Sequence, residues 1–273
     1  MKGNNSFWRG MTHGGQSYLQ YLLPGKLNAR MSVTQFLKGN LMREAKGCPE
    51  RTGCILFGEN HEKRLVAPQQ KHNTAMIDAR PIWALPARPE ADAVFLQERG
   101  VYGSLRFADC IPLVIASHTP YDWCVLIHSG FLGTCRRIVS NVLDRISKRT
   151  GSEGIEHSHA WIGPGIGICC YSRSADDPLT LLGVRELPSE CIRREGNLVY
   201  FNLTRALITL LYDRGIPSSN IHQSGICTSC NPALCHSYRK GDISERSFLI
   251  ARIYPGCHNQ YHWWENNVEE DLF

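Results

Sequence analysis

Two runs of almost unbroken apolar residues constrain this chain more than anything else in it: Ile111-Pro112-Leu113-Val114-Ile115-Ala116 and Trp123-Cys124-Val125-Leu126-Ile127. Runs of this kind are strands covered on both faces. The residues between them, Ser117-His118-Thr119-Pro120-Tyr121, have turn chemistry. The pair therefore reads as a buried hairpin at the centre of a layered fold. Suppose that it turns symmetrically about Thr119. Ala116 then faces Asp122, and Cys110 faces His128, with Cα atoms about 4.5–5.5 Å apart and side chains on one face.

Helical periodicity follows at once. Cys135, Ile138, Val139, Val142, Leu143 and Ile146 make one apolar stripe, which Gly151 is expected to end. A second helix starts at Asn202 as N-cap, turns Leu203, Ala206, Leu207, Leu210 and Leu211 inward, and stops at Gly215 before Pro217. Further strands are expected at 54–57, 93–96, 159–162, 198–200 and 248–253. A short helix is expected over Phe36 to Ala45, stopped by Gly47.

At 273 residues the chain suits one α/β domain, and no Pro/Gly/Ser-rich linker divides it. We expect a single domain over 1–273, with a weakly patterned part at 1–50 and an acidic tail at 257–273. The formal charge of +5 is carried by scattered residues, with no basic run interleaved with aromatics. That argues against nucleic acid and is compatible with an anionic small substrate. No run approaches the roughly 20 apolar residues that span a bilayer, and Lys2-Gly3-Asn4-Asn5-Ser6 is no signal core. The twelve cysteines are thus expected to be reduced, in a cytoplasmic protein, with most of them small core residues such as Cys54, Cys124 and Cys135.

The Cys110–His128 pair fits three readings. Thiolate and imidazole are common zinc ligands, and a catalytic zinc keeps one position open. They also make a Cys–His nucleophile. A core cysteine beside a hydrogen-bonded histidine is the third reading. The glycine-rich segment from Ser129 to Thr134 leads into the first helix, whose free N–H groups suit an anion.

At these residues the chain resembles the laccase-domain family of YfiH-type proteins, also called polyphenol oxidases and purine nucleoside phosphorylases. The resemblance rests on Ala108-Asp109-Cys110-Ile111-Pro112 and His128-Ser129-Gly130-Phe131-Leu132-Gly133. Gln69-Gln70-Lys71-His72 and Ala91-Asp92-Ala93 precede them. The Gly163 to Tyr171 loop, Phe201-Asn202-Leu203, Cys227-Thr228 and Ser237-Tyr238-Arg239 follow. Thr12 to Ser17 is similar to the family's N-terminal segment.

The resemblance implies a metal triad of His72, Cys110 and His128. It also implies mixed sheets flanked by helices in α-β-β-α layers, and phosphorolysis of purine nucleosides, methylthioadenosine included, with adenosine deamination as a second activity. Zinc is the implied ion, and it acidifies bound water. The expected partners are nucleosides and phosphate, with the protein a monomer or homodimer. Candidate phosphate contacts are the amides of Gly133 and Thr134, and Arg239. Asp109 is the candidate to orient His72 or His128.

The chain departs from the family at Phe131-Leu132, where tryptophan-arginine is usual, at His13 in place of an arginine, and over Tyr18 to Ala45. Four other readings stay open. One is a copper oxidase, for which Met76 is the nearest methionine to His72. The second is a metal-free cysteine hydrolase. The third is a zinc module made by Cys227, Cys230, Cys235 and His236. The fourth is a nucleoside-binding member without turnover. Gly163-Pro164-Gly165-Ile166-Gly167 lacks the spacing of a dinucleotide fingerprint.

Overall fold

The computed structural model describes residues 7–58 and 64–254. In chain order the strands are β1 (Trp8–His13), β2 (Gln16–Tyr21), β3 (Met31–Gly39), β4 (Leu65–Val66), β5 (Met76–Asp78), β6 (Ala93–Leu96), β7 (Tyr102–Phe107) and β8 (Ile111–Ser117). They continue with β9 (Trp123–Ser129), β10 (His159–Ile162), β11 (Ser172–Ser174), β12 (Ile192–Glu195), β13 (Leu198–Phe201), β14 (Ile221–Gln223) and β15 (Ser247–Ile253). The helices are α1 (Asn40–Ala45), α2 (Pro49–Phe57), α3 (Phe131–Cys135), α4 (Ile138–Glu156), α5 (Pro178–Glu186) and α6 (Leu203–Asp213).

Two six-stranded mixed sheets carry the fold. One runs β1-β2-β3-β15-β7-β4 and the other β14-β10-β8-β9-β6-β5. Side-chain alternation assigns each face. Val114, Ala116, Cys124 and Leu126 of the second sheet meet Leu19, Val33, Leu105 and Leu249 of the first in a core between the sheets. Leu113, Ile115, Val125 and Ile127 point the other way, onto Ile138, Val142 and Ile146 of α4 and Leu207 and Leu211 of α6. On the far side, Tyr18, Phe36 and Phe248 pack against Met42, Leu56 and Phe57 from α1 and α2. The expected α-β-β-α layering is what forms, and β8 and β9 are buried along their whole length. A small sheet, β11-β13-β12, joins the helical layer beside α6 through Val199 and Phe201.

Several local expectations are corrected. Residues 54–57 are the end of α2, not a strand; Pro49 at its first position starts that helix. Cys54 is exposed, whereas Cys124 and Cys135 are buried as expected. The Phe36 to Ala45 segment divides: 36–39 belongs to β3 and only 40–45 is helical. The weakly patterned N-terminal part supplies three strands of the first sheet. Gly151 leaves helical geometry (φ 72°, ψ 178°), yet α4 resumes and ends at Glu156. Residues 257–273 lie outside the described residues.

Candidate metal centre

The hairpin brings the first two groups together, by a different register from the symmetric one. Pro112, not Cys110, stands opposite His128, and Ile111 stands opposite Ser129. The turn is centred one residue later than Thr119, which slides the pairing by two. A slide of two keeps parity, so Cys110 stays on the side of His128. Cys110 sits just before β8, after Asp109, whose φ of 78° bends the chain. His72 comes from the loop between β4 and β5 and also has positive φ, 56°. Left-handed backbone at two non-glycine residues costs about 1–3 kcal/mol each and marks functional sites.

The three side chains converge. His72 Nε2 lies 3.6 Å from Cys110 Sγ, and one ligand atom from each of His72, Cys110 and His128 lies within 4.8 Å of the others. Gly130 makes the space: a Cβ there would stand 2.6 Å from Cys110 Sγ and 3.0 Å from His72 Cδ2.

The residue that orders the triad is Asp92, which is fully buried. Its Oδ1 is 2.7 Å from His128 Nδ1, which leaves the other ring nitrogen of His128 to the Cys110 side. Its Oδ2 accepts the amides of Lys71 (3.0 Å) and Asn73 (2.8 Å), the two neighbours of His72. One carboxylate thus orients one histidine and shapes the loop of the other. Burial opposes its ionisation, but these hydrogen bonds hold its carboxyl below the usual range. The expectation that Asp109 has this part is corrected. Asp109 accepts from Thr228 Oγ1 (2.6 Å) and the Arg239 amide (2.7 Å), tying two distant loops to the site. Asp92 stands in the Ala-Asp-Ala segment, but a lone carboxylate at a strand start does not disclose its partner.

Burial disfavours the Cys110 thiolate. The charge of His128 and hydrogen bonds from His128 and His72 outweigh it and pull the thiol down to about 6. Burial likewise lowers His128, but the Cys110 thiolate and Asp92 raise it to about 9. Without metal, each group thus favours the charged form of the other, thiolate beside imidazolium. The donor set fits a transition metal: a soft sulfur, an imidazole with its second nitrogen anchored, and a second imidazole on a shaped loop. Met76 packs into the core under the helices, not beside Cys110.

The triad opens into a cavity of about 420 Å³, within the range of small-molecule sites. Three arginines, Arg106, Arg239 and Arg246, line it with Tyr171 and Tyr238. Arg106 comes from β7 of the first sheet; burial and its neighbours Arg88 and Arg246 bring it down to about 10. Arg239 is where an anion contact was expected. The Gly133 and Thr134 amides are not: neither residue lines the cavity. The Thr134 amide is spent on the Gly130 carbonyl at 2.8 Å. Leu132, at the position of the usual family arginine, packs against the helical core.

Residues 53–248 match the sequence profile of the family described as multi-copper polyphenol oxidoreductase laccase. The chain belongs to that family. Among curated relatives, the purine nucleoside phosphorylase YlmD of Bacillus subtilis is 31% identical over 157 residues, 55% of this chain and 53% of that protein. A purine nucleoside phosphorylase of Aquifex aeolicus is 24% identical over 197 residues, 70% of this chain and 84% of that one. The first match thus spans about half the relative's length. The crystal structure of YlmD from Geobacillus stearothermophilus superposes with a TM-score of 0.75 at 22% identity, covering 90% of this chain and 99% of that one. A hypothetical protein YfiH of Bacillus licheniformis gives 0.73 at 20% identity, covering 90% and 98%. These two share the family fold. No helix among the described residues is long and apolar enough to cross a membrane.

Proposed function

We propose that this member of the family is a zinc-dependent purine nucleoside phosphorylase, acting also on methylthioadenosine and as an adenosine deaminase. One observation carries the reading: a His-Cys-His donor set opens into a cavity walled by three arginines. A bound zinc would supply Lewis acidity at its open position. The protein's own residues do the rest. Phosphorolysis needs a multiply charged phosphate held against the anomeric carbon while the glycosidic bond to the purine breaks. Fixed guanidinium groups suit that oxyanion and cost no reorganisation during reaction. Arg239 is aimed by its hydrogen bonds to the carbonyls of Cys170 (3.3 Å) and Ser172 (3.1 Å). The exposed ring of Tyr238 offers the purine a stacking face. Loss of the arginine at Leu132 therefore does not empty the cavity of positive charge. The named relatives are phosphorylases, which favours this chemistry over phenol oxidation.

The thiolate–imidazolium pair favours a second reading, a metal-free cysteine hydrolase. The zinc-loaded protein should release free base from inosine and adenosine only when phosphate is present, with ribose 1-phosphate as co-product by chromatography. Base release untouched by phosphate and by chelator, together with rapid alkylation of Cys110, would instead establish the hydrolase. No turnover under any condition would reduce the protein to nucleoside binding.

A further inference from the structure

A second sulfur cluster lies outside the triad. Cys169 and Cys170 sit on the loop after β10, and Cys227 and Cys230 on the loop after β14. Their four sulfurs all lie within 4.8 Å of one another. Cys230 Sγ is 3.5 Å from Cys169 Sγ and 3.4 Å from Cys170 Sγ. Four thiolates around a zinc at about 2.3 Å stand about 3.8 Å apart at the corners of a tetrahedron. We propose that Cys169, Cys170, Cys227 and Cys230 form a second, closed zinc site that clips these two loops together and so fixes one wall of the cavity.

The surroundings are those of a ligand site rather than of four unrelated thiols. Cys227-Thr228-Ser229-Cys230 has the two-residue spacing of a zinc knuckle. The amide of Gly167 donates to Cys227 Sγ at 3.2 Å, the kind of contact a coordinated sulfur accepts. The backbone comes close at Gly167, where a Cβ would stand 3.2 Å from Cys169 Sγ and 3.3 Å from Cys227 Cβ, tight enough to press on both cysteines by a few tenths of an ångström. The loops are already aligned by Gly165 donating to the Ile226 carbonyl (3.2 Å) and Thr228 donating to the Gly165 carbonyl (3.1 Å). Cys235 and His236, the partners suggested by sequence proximity, are not members. Cys235 is buried in the core between the sheets, and His236 is grouped with Asp242 and Glu245.

The site bears on the cavity through short connections. Ile166 and Tyr171 line it from the first loop. Thr228 holds Asp109 from the second, and Arg239 is held by the Cys170 carbonyl. A tetrathiolate zinc has no open position, so its part is structural.

Metal content of the full chain, purified with reductant and loaded with zinc alone, tests this. Plasma mass spectrometry should give two zinc ions per chain, falling to one in the double variant Cys169→Ser, Cys230→Ser, and to one in His72→Ala, His128→Ala. Cys169 and Cys230 are exposed, so serine there leaves the core intact. In the unmutated protein, cobalt substitution should add the intense thiolate charge-transfer absorption of a four-sulfur site. If the triad holds no metal, the content should fall from one to zero in the cysteine variant, so the two assignments fail separately. Equal zinc in the unmutated protein and the cysteine variant would overturn the proposal. So would a Cys–Cys cross-link within the group in non-reducing peptide maps, or iron–sulfur absorption in the protein as isolated.

Discussion

At the scale of single residues, Asp92 and Gly130 shape the candidate metal centre. Asp92→Asn keeps the shape but weakens the bond that fixes His128 and the acceptor that holds the loop of His72. Loss of an outer partner of this kind typically lowers metal affinity about 10–100-fold. Competition titration against a zinc indicator should show a loss in that range with the fold retained. Gly130→Ala separates space from conformation. Gly130 has φ −79°, which alanine adopts freely. Its methyl group, however, would occupy the volume between Cys110 and His72. The variant should fold, keep its helical circular dichroism, and lose zinc from the triad; a variant that binds zinc normally would show that the three donors have room to spare. Much at this scale was legible in the sequence: Cys110 and His128 followed from the hairpin, and His72 from the family segment. Asp92 did not, because a buried carboxylate 36 positions from its histidine leaves no periodic trace. Arg106 and Arg246 were equally hidden, since they reach the cavity only once the first sheet is assembled.

At the scale of elements, long and strongly patterned segments were readable and short ones were not. The α6 N-cap behaves as expected, with the Asn202 side chain accepting the Arg205 amide at 3.0 Å. Asn202→Ala removes that acceptor and should cost about 0.5–2 kcal/mol. For a chain of this size that is a fall of about 2–4 °C in Tm per kcal/mol, readable by calorimetry. The four-residue apolar run at 54–57 failed because strand and helix cannot be told apart over so short a window. The β3–α1 boundary failed because the last strand residues and the first helical turn share one apolar pattern. The hairpin pairing came out two residues off, an error that leaves sidedness intact and so did not disturb the site.

At the scale of the whole molecule, buried histidines set the response to acid. Burial pulls both His222 and His236 down to about 4, the first helped by His159. In the unfolded chain each would take up a proton near 6.5. Between pH 6.5 and 4 the unfolded state therefore binds more protons, and stability falls as pH falls. The Cys110–His128 pair adds little here: its thiol is lowered to about 6 and its imidazole raised to about 9, so above pH 6.5 the proton one takes up on unfolding is released by the other. Denaturant unfolding of the metal-free protein should show up to two histidine protons taken up per chain in this window. His222→Gln should remove about one of them, and an unchanged slope would show that His222 is charged when folded.

The cavity straddles the open ends of both sheets. The sulfur and one imidazole come from the β8–β9 side, whereas Arg106 and Arg246 belong to the β7–β15 side. The distance from metal donors to anion wall is thus a dimension of the sandwich itself, set by how thick its filling is. Shaving a side chain such as Leu105 or Leu126, far from any reactant, would let the halves settle closer. The gap between the donors and the arginines would narrow with them, at about 2–5 kcal/mol in stability for each buried leucine cut to alanine.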